Sequence, residues 1–340
     1  MAYTTINKHT DYFDTVLWSS QDTSIDTLNF QPDWAWIKSR TNADTHVLFD
    51  AVRGANKRLI SSANLAESTT SDELTAFNSD GYTLGTGDNV NRSGHNYVSW
   101  NWKANGAGSA NTDGTINSTV SVNTTAGFSI VKWTGNNTGG ATVGHGLGAV
   151  PKMIIFRNYS ITEDWTVYHH KLTNNNYKVD LNNTSAQANV TNPYMENTTP
   201  TSSLITLGDH QRVNGSGNNI IAYCFAEKSG YNKFGSYVGN GNADGAFIYT
   251  GFKPAFIMLK KTNDTANWMI HDNKRLGYNV DNNNLKPNTD DAEATADTLD
   301  ILSNGFKLRT SGSGENNGDF IYMAFGQSLV GTNNIPATAR

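Results

Sequence analysis

Residues 149–158 read AVPKMIIFRN, and this stretch decides the fold because it occurs three times in related form. Residues 30–40 read FQPDWAWIKSR, and residues 252–261 read FKPAFIMLKK. Each version has a proline, then mostly apolar residues, then a Lys or Arg six positions after the proline. A run that is apolar on both faces predicts a central β-strand covered on both sides.

The neighbouring runs recur at matching distances from Pro32, Pro151 and Pro254. A second strand-like run begins fourteen residues after each proline, and a closing apolar run ends each unit. The second runs are HVLFDAVR (46–53), WTVYHHKL (165–172) and WMIHDNKR (268–275). Short β-type runs separated by Gly, Asn, Asp and Ser turns are typical of sandwiches. The sequence therefore predicts an all-β protein of three tandem diverged copies of a β-sandwich or jelly-roll-like domain.

Composition shifts along the chain predict where the copies begin and end. The segment NGAGSANTDGTINSTVSVNTTAG is polar and predicts a linker. The first copy diverges most and is a candidate attachment domain, and the Ala-rich stretch 291–300 predicts a short helix or turn. The predicted ranges are 1–104 for the first copy, 105–127 for the linker, 128–227 for the second copy, 234–328 for the third and 329–340 for a C-terminal tail.

Charge and cysteine content exclude several classes of protein. Charged residues make up 16% of the chain, the net charge is −5, and no dense Lys/Arg run occurs, so no nucleic-acid partner is expected. No apolar window is long enough to insert into a membrane, and the N-terminus does not resemble a secretory signal. The single cysteine, Cys224, lies in an apolar run and is predicted to be a buried, inert thiol.

Charged residues also recur at fixed distances from the prolines. Lys38 and Lys260 lie six residues after a proline, while Asp50 and Asp272 lie eighteen after, where the second copy has His169. The interpretation preferred here is structural, with cross-strand ion pairs Lys38–Asp50 and Lys260–Asp272 at the rim of each sandwich. The alternative is a polar site repeated in the first and third copies.

Aromatic residues provide weak candidates for ligand binding. Trp100 and Trp102 are two residues apart, so both project to one face of a strand. Tyr177 and Tyr194 lie within the polar loop at 174–200 and are expected to be exposed. These four residues are the candidate sugar-binding positions.

No pattern in the sequence indicates catalysis, a cofactor or a metal ion. Glycoside hydrolysis needs two carboxylates that face each other across the glycosidic bond. Acids that are adjacent in sequence, such as Glu163 and Asp164, do not indicate that geometry. The histidines lack the spacing of metal ligands. His145, within Gly144–Gly148, is predicted to be a turn residue bonded to nearby backbone. The protein is therefore predicted not to be an enzyme.

Three longer stretches resemble a domain of unassigned function from tail-fibre and other virion proteins of bacteriophages, notably phages of marine bacteria. They are GFSIVKWTGNNTGGATVGHGLGAVPKMIIFRN (127–158), FGSYVGNGNADGAFIYTGFKPAFIMLKK (234–261) and ILSNGFKLRTSGSGENNGDFIYMAFGQ (301–327). The resemblance covers about residues 128–327, with a diverged copy before it, and that family offers no catalytic residues to carry across.

The resemblance implies a bacteriophage virion structural protein, made in the host cytoplasm and displayed on the particle surface. A tail-fibre or receptor-binding subunit that contacts host surface glycans is the leading expectation. A capsid decoration protein, of the head-fibre or cement kind, is the alternative, followed by a polysaccharide-degrading tailspike. The implied partners are other virion proteins and host cell-surface polysaccharide, and phage fibres suggest a homo-oligomer, specifically a trimer.

Overall fold

The computed structural model describes residues 4–330 except residues 21, 191, 277, 278, 280, 281 and 297. Within those residues the protein is nearly all β-structure, which confirms the predicted class. The described helices are a 3-10 turn at His9–Asp11 and two α-helical turns, α1 (Asp88–Asn91) and α2 (Gln211–Asn214). In the described part of the chain, no helix has the length and apolar character needed to cross a bilayer.

The first segment of the chain forms one large and one small antiparallel sheet. Its strands are β1 (Phe13–Ser19), β2 (Ser24–Ile25), β3 (Trp34–Ser39), β4 (Val47–Asp50), β5 (Lys57–Ile60), β6 (Ser68–Thr69), β7 (Leu74–Asn78), β8 (Gly81–Leu84) and β9 (Asn96–Trp102). The large sheet has the order β1-β9-β3-β4-β5-β6, and the small sheet has the order β2-β8-β7. Every residue of β3, the strand after Pro32, is buried, as its two apolar faces predict.

The second segment repeats this strand order and adds a hairpin at its edge. Its strands are β10 (Ser109–Asn111), β11 (Ser118–Asn123), β12 (Phe128–Thr134), β13 (Ala141–Gly144), β14 (Pro151–Asn158), β15 (Thr166–His169), β16 (Tyr177–Asp180), β17 (Ala188–Asn189), β18 (Leu204–Leu207) and β19 (Asn219–Ala226). The large sheet has the order β10-β11-β12-β19-β14-β15-β16-β17, and β13 pairs with β18. The stretch 105–127, predicted as a linker, thus contributes two strands to this sheet.

The third segment has the same central order without an added hairpin. Its strands are β20 (Asn232–Asn240), β21 (Phe247–Tyr249), β22 (Lys253–Lys261), β23 (Trp268–Asp272), β24 (Asn282–Asn284), β25 (Ala294–Ala296), β26 (Leu299–Leu302), β27 (Gly305–Leu308) and β28 (Asn317–Gln327). The sheets have the orders β20-β28-β22-β23, β21-β27-β26 and β24-β25. The short helix or turn predicted at 291–300 is wrong, because β25 and the start of β26 lie there. Residues 331–340 of the predicted tail lie outside the described residues.

The three large sheets pack against one another around a shared aromatic core. Its buried members include Trp34, Trp36, Trp100 and Trp102 from the first segment, Phe128, Met153, Tyr223 and Phe225 from the second, and Phe234, Phe256, Met258 and Phe325 from the third. Side chains alternate along a strand, so the opposite face of each large sheet packs against its own small sheet. That arrangement produces three outer clusters, one per segment. The predicted domain ranges remain predictions, but the segments bury one core in common.

Backbone hydrogen bonds tie neighbouring segments together near the ends of the central strands. The amide of Glu67 donates to the carbonyl of Tyr159 over 2.9 Å. The amide of Gln187 donates to Thr262 over 2.9 Å. The amide of Glu293 donates to the carbonyl of Arg40 over 2.9 Å. These contacts join the first segment to the second, the second to the third and the third back to the first.

Two buried side chains match their predictions. His145 is buried, its Nδ1 accepts from the amide of Leu147 at 3.2 Å, and its Nε2 lies 3.2 Å from the carbonyl of Thr201. The prediction of a turn residue bonded to nearby backbone is confirmed. Cys224 is fully buried, and burial raises the pKa of its thiol, so an inert thiol follows.

The shared core predicts that damage in one segment destabilises the whole chain. Trp34→Ala should lower the free energy of unfolding by about 3–5 kcal/mol, because it leaves a cavity among aromatic rings from two segments. Denaturant unfolding followed by circular dichroism should still show one transition. Leu65→Ala is the control, because Leu65 is 52% exposed and its loss should change little. A variant that melts in two steps, with the later step unshifted, would contradict a shared core.

Candidate functional site

Asp50 does not form the ion pair predicted with Lys38. The pairing of β3 with β4 places Trp34 opposite Asp50, so Lys38 lies four residues further along the strand. Asp50 instead accepts from Arg53 Nε at 2.6 Å and from the Tyr223 hydroxyl at 2.8 Å. The predicted rim pair is wrong, and the carboxylate lies in the interior, where it joins the first segment to the second.

The third segment departs from the prediction in the same way. Asp272 accepts from Arg275 Nε at 2.6 Å and from Trp100 Nε1 at 3.0 Å, and this buried ion pair is fully shielded from solvent. Lys260 Nζ donates to the carbonyls of Thr184 and Ala266 at 2.9 and 2.6 Å. The predicted pair Lys260–Asp272 is therefore wrong too.

Buried lysines replace these pairs with carbonyl contacts. Lys38 Nζ donates to the carbonyls of Ser39 and Asn42 at 2.7 and 2.9 Å. Burial lowers the pKa of Lys38 and of Lys260 to about 8, against nearby carboxylates that raise it. Both lysines therefore support the backbone of turns rather than a site for a ligand.

The predicted ligand-binding aromatics lie mainly in the interior. Trp100 and Trp102 are 0% and 1% exposed within the shared core, so neither ring can stack on a sugar at the surface. Tyr194 is buried, so the expectation that it is exposed is wrong, and Tyr177 is half-buried. The two tyrosines line a cavity of about 10 Å³, which is too small for a sugar ring.

An open groove lies instead beside β20, and we call it the β20 groove. Its volume is about 540 Å³. It lies between the third segment and part of the second, since both contribute to its lining. Its lining comprises Lys152, His170, Lys171, Glu227, Lys233, Phe234, Gly235, Ser236, Tyr237, Phe247, Ile248, Tyr249 and Tyr322.

Large apolar side chains are exposed at this groove. Phe247 is 47% exposed and Tyr249 is 55% exposed, both on β21. Val238, the residue after Tyr237 on β20, is 68% exposed but is not part of the groove lining. Lys233 Nζ lies 5.5 Å from the centre of the Tyr249 ring, within range of a cation–π contact. Clustered apolar exposure of this kind is typical of interaction surfaces.

The charges of the groove lining are mainly positive. Lys152, Lys171 and Lys233 face it, against the single carboxylate of Glu227. His170 Nε2 lies 2.8 Å from the carbonyl of Phe234. Burial lowers the pKa of His170 despite that contact, so the imidazole adds no charge near pH 7. The groove therefore suits a partner with acidic groups.

The corresponding side of the second segment is closed by β11. This strand pairs with β12 from Ser118 to Asn123, and Ile116 forms a bridge with Val143 of β13. Ile116 and Val120 belong to the outer cluster of that segment, together with Trp133 and Val143. In the third segment, by contrast, β20 is the last strand of its sheet among the described residues.

The lining does not resemble a hydrolytic site. Glycoside hydrolysis uses two carboxyl groups across the scissile bond, and Glu227 is the one carboxylate of the described lining. Elsewhere in the described ranges, no three His, Cys, Asp or Glu side chains come close enough to share a metal ion.

Sequence reasoning missed the groove, although a signal for it is present. The stretch 105–127 precedes β12 of the second segment. Only residues 228–231 separate the second segment from the third, so no stretch equivalent to 105–127 precedes β20. Had 105–127 been recognised as strands, its absence before β20 would have predicted an uncovered edge. The alternation in FGSYVGN also places Val238 on an exposed face.

Removing one member of the buried ion pair should be costly. Asp272→Ala leaves the Arg275 guanidinium and the Trp100 indole without their shared acceptor, and the free energy of unfolding should fall by about 3–5 kcal/mol. Asp264→Ala is the matched control, because Asp264 is 67% exposed in its pair with Lys261 and should show no measurable loss. Equal stability of the two variants in urea would show that the buried pair is not holding the segments together.

The two lysines of depressed pKa should give a distinctive pH dependence. The pKa of each lysine is about 8 in the folded protein and about 10.4 in the unfolded chain. Between pH 8 and about 10.4 the unfolded chain therefore binds more protons than the folded protein. Stability should therefore rise between pH 8 and about 9.5, by roughly 1.5 kcal/mol per lysine. Lys38→Met and Lys260→Met should each flatten part of that rise. A profile unaffected by both substitutions would contradict the assignment.

Comparison with known proteins gives a family but no characterised relative. No curated protein and no solved structure matches the sequence. One family model matches residues 8–328, which is nearly the whole chain. The chain therefore belongs to the family described as Domain of unknown function (DUF7483).

Proposed function

We propose that the protein is a bacteriophage virion structural protein, and specifically a tail-fibre or receptor-binding subunit that contacts host surface glycans. The motifs at 127–158, 234–261 and 301–327 support a virion role through their resemblance to phage proteins. A core braced by three sheets supports a protein that must remain folded outside the cell. Exposed polar loops at residues 196–199 and 201–203 carry the proposed contact with glycans. The β20 groove, an open basic and aromatic surface, supports docking to another virion protein.

The fold supports a finer proposal, that the chain is three diverged copies of one β unit closed into a ring. Arg40, Tyr159 and Thr262 each lie eight residues after their proline, and each accepts from the amide of a Glu or Gln in another segment. Equivalent positions thus make equivalent contacts.

A second set of equivalent positions makes a second ring of contacts. Asp50, His169 and Asp272 each lie eighteen residues after their proline. Asp50 and Asp272 bind Tyr223 and Trp100, which belong to the closing strand of the next sheet. His169 Nε2 lies 3.2 Å from a carbonyl of β28, the closing strand of the third large sheet. Divergence from a common unit explains this agreement more simply than chance.

Glycan contacts are assigned to polar loops rather than to the buried aromatics. Residues 196–199 and 201–203 are exposed. Asn175 Nδ2 donates to the carbonyl of Asn197 and to Thr199 Oγ1, at 3.4 and 2.9 Å, so two loops are held side by side. Amide and hydroxyl groups in fixed positions match the hydroxyl-rich surface of a polysaccharide.

A capsid decoration protein is the second candidate, and the open edge of β20 favours it, because a shell protein could dock there. Labelling intact particles with an antibody to this protein separates the two roles. Label at the tail supports the receptor-binding role, whereas label over the shell supports decoration.

The homo-oligomer implied by the resemblance would have to form through the outer surface. The shared core is already buried within one chain, so a trimer would add contacts without completing the fold. Sedimentation of the purified protein at several concentrations tests this: a constant monomer mass argues against the trimer.

Host binding gives the most direct test of the proposed function. The purified protein should bind cells of the phage's host and their isolated surface polysaccharide in a saturable way. Asn197→Ala with Thr199→Ala should weaken binding by about tenfold, as expected for one or two lost polar contacts. Asn64→Ala, at an exposed asparagine of the first segment, is the control and should bind normally.

Two results would count against this account. Failure to bind either the cells or the polysaccharide would contradict a receptor-binding role. Shortening of the polysaccharide during incubation would contradict a non-enzymatic protein and would favour a tailspike.

A further inference from the structure

We propose that the β20 groove is a strand-addition site, which accepts an extended segment of a partner protein along the free edge of β20. Alternate apolar side chains of that segment would enter the groove, as those of β11 enter the equivalent space beside β12. This proposal deepens the proposed function. It rests on that function for one point, namely that the partner protein belongs to the virion. The binding of an extended strand is independent of that placement.

The second segment provides the precedent within the same chain. There β11 runs antiparallel to β12, with Thr119 opposite Lys132 and Ser121 opposite Ile130. Side chains on one face of β11, including Val120, pack into the space between the large and small sheets. An added Cβ at Gly146 would lie 3.1 Å from Val120, so the chain before Pro151 is packed closely against this strand.

The register of the closing strands shows that β20 corresponds to β12. Phe128 begins β12 opposite Phe225, and Asn232 begins β20 opposite Phe325. Five residues later these strands carry Trp133 and Tyr237, which both pack in the outer cluster of their segment.

The small sheets correspond in the same way. Val143 pairs with Ile205 of β18, and Ile248 pairs with Phe306 of β27. Val143 is fully covered beside β11, whereas Ile248 lines the β20 groove. The groove is therefore the third segment's counterpart of the space that β11 fills.

On the side away from β28, the backbone of β20 pairs with no other strand among the described residues. The carbonyl of Phe234 points outward, because it lies 2.8 Å from His170 Nε2 rather than pairing with β28. In an antiparallel ladder the N–H and C=O of one residue point the same way, and the direction alternates along the strand. Ser236 and Val238 therefore direct their N–H and C=O groups away from β28, toward the open edge.

A peptide strand fits this surface better than the other occupants. A polysaccharide could stack on Tyr249 and meet the lysines, but it would not match the alternating backbone groups of an edge strand. A second copy of β20 would direct Lys233, Gly235 and Tyr237 toward the groove, with no aliphatic side chain to fill it. The three lysines of the lining favour a partner strand with acidic flanking residues.

The test uses a synthetic, dye-labelled peptide with the sequence of residues 114–123, GTINSTVSVN, and the full-length protein. Fluorescence anisotropy should show saturable binding. N-methylation of the peptide at the positions of Thr119 and Ser121 should weaken binding at least tenfold, because those amides face the edge in the precedent. N-methylation at the position of Val120, whose amide faces away, should have less than a twofold effect.

A protein variant gives an independent readout. Val238→Pro removes one outward N–H, a substitution that an edge strand tolerates, and should weaken peptide binding at least tenfold. Val238→Thr keeps the amide and should bind like the native protein. Circular dichroism checks that both variants are folded.

Three results would overturn the proposal. They are no binding of the unmodified peptide, binding that is indifferent to N-methylation at Thr119 and Ser121, and full displacement of the peptide by an acidic polysaccharide such as polygalacturonate.

Discussion

The stacking of Trp34 on Tyr223, with ring centres 4.3 Å apart, is the contact on which the rest of the structure depends. It joins the first large sheet to the second at the centre of the molecule. Trp102 continues the aromatic packing to Phe256 of the third sheet at 5.6 Å. Burial of this many large rings stabilises the protein only if all three sheets face inward together. The chain therefore folds around one centre, and each small sheet covers an outer face.

Buried charges follow from this constraint. A carboxylate at the edge of the aromatic core needs a full set of donors, and Asp272 obtains them from Arg275 on its own turn and from Trp100 on another sheet. Burial would raise the pKa of Asp272, but Arg275 and the other donors outweigh it and hold the pKa below its usual value. Such pairs fix how the sheets meet, because a shifted sheet would leave a charge buried without a partner. The β20 groove lies at an edge of the third large sheet where, among the described residues, no strand equivalent to β11 is present.

Much of the fold was predictable from the sequence, while the contacts within it were not. The apolar runs after Pro32, Pro151 and Pro254 predicted buried central strands, and β3, β14 and β22 occupy those positions. Counting residues from the prolines does not give the register between β3 and β4. The sequence therefore predicts a pair between Asp50 and Lys38, whereas Asp50 lies opposite Trp34.

The candidate site was beyond sequence reasoning for a physical reason. Trp100 and Trp102 were candidates for exposed platforms because alternation places them on one face, but it does not say whether that face meets solvent or another sheet. The polar composition of 105–127 indicates a linker. The apolar side chains of Ile116 and Val120 nevertheless pack it against β12 and β13. An uncovered edge depends on the absence of such a segment, which becomes visible only when strand neighbours are known.

Native-state hydrogen exchange measures the shared core most directly. The amides of β3, β14 and β22 would be followed at increasing, sub-denaturing concentrations of guanidinium chloride, since each strand belongs to a different segment. The account predicts that the opening free energies of the three strands converge on one value with one denaturant dependence, because no sheet can open without exposing the common aromatic core. Three separate values, each with the smaller slope of a single segment, would show three independent domains and would contradict it.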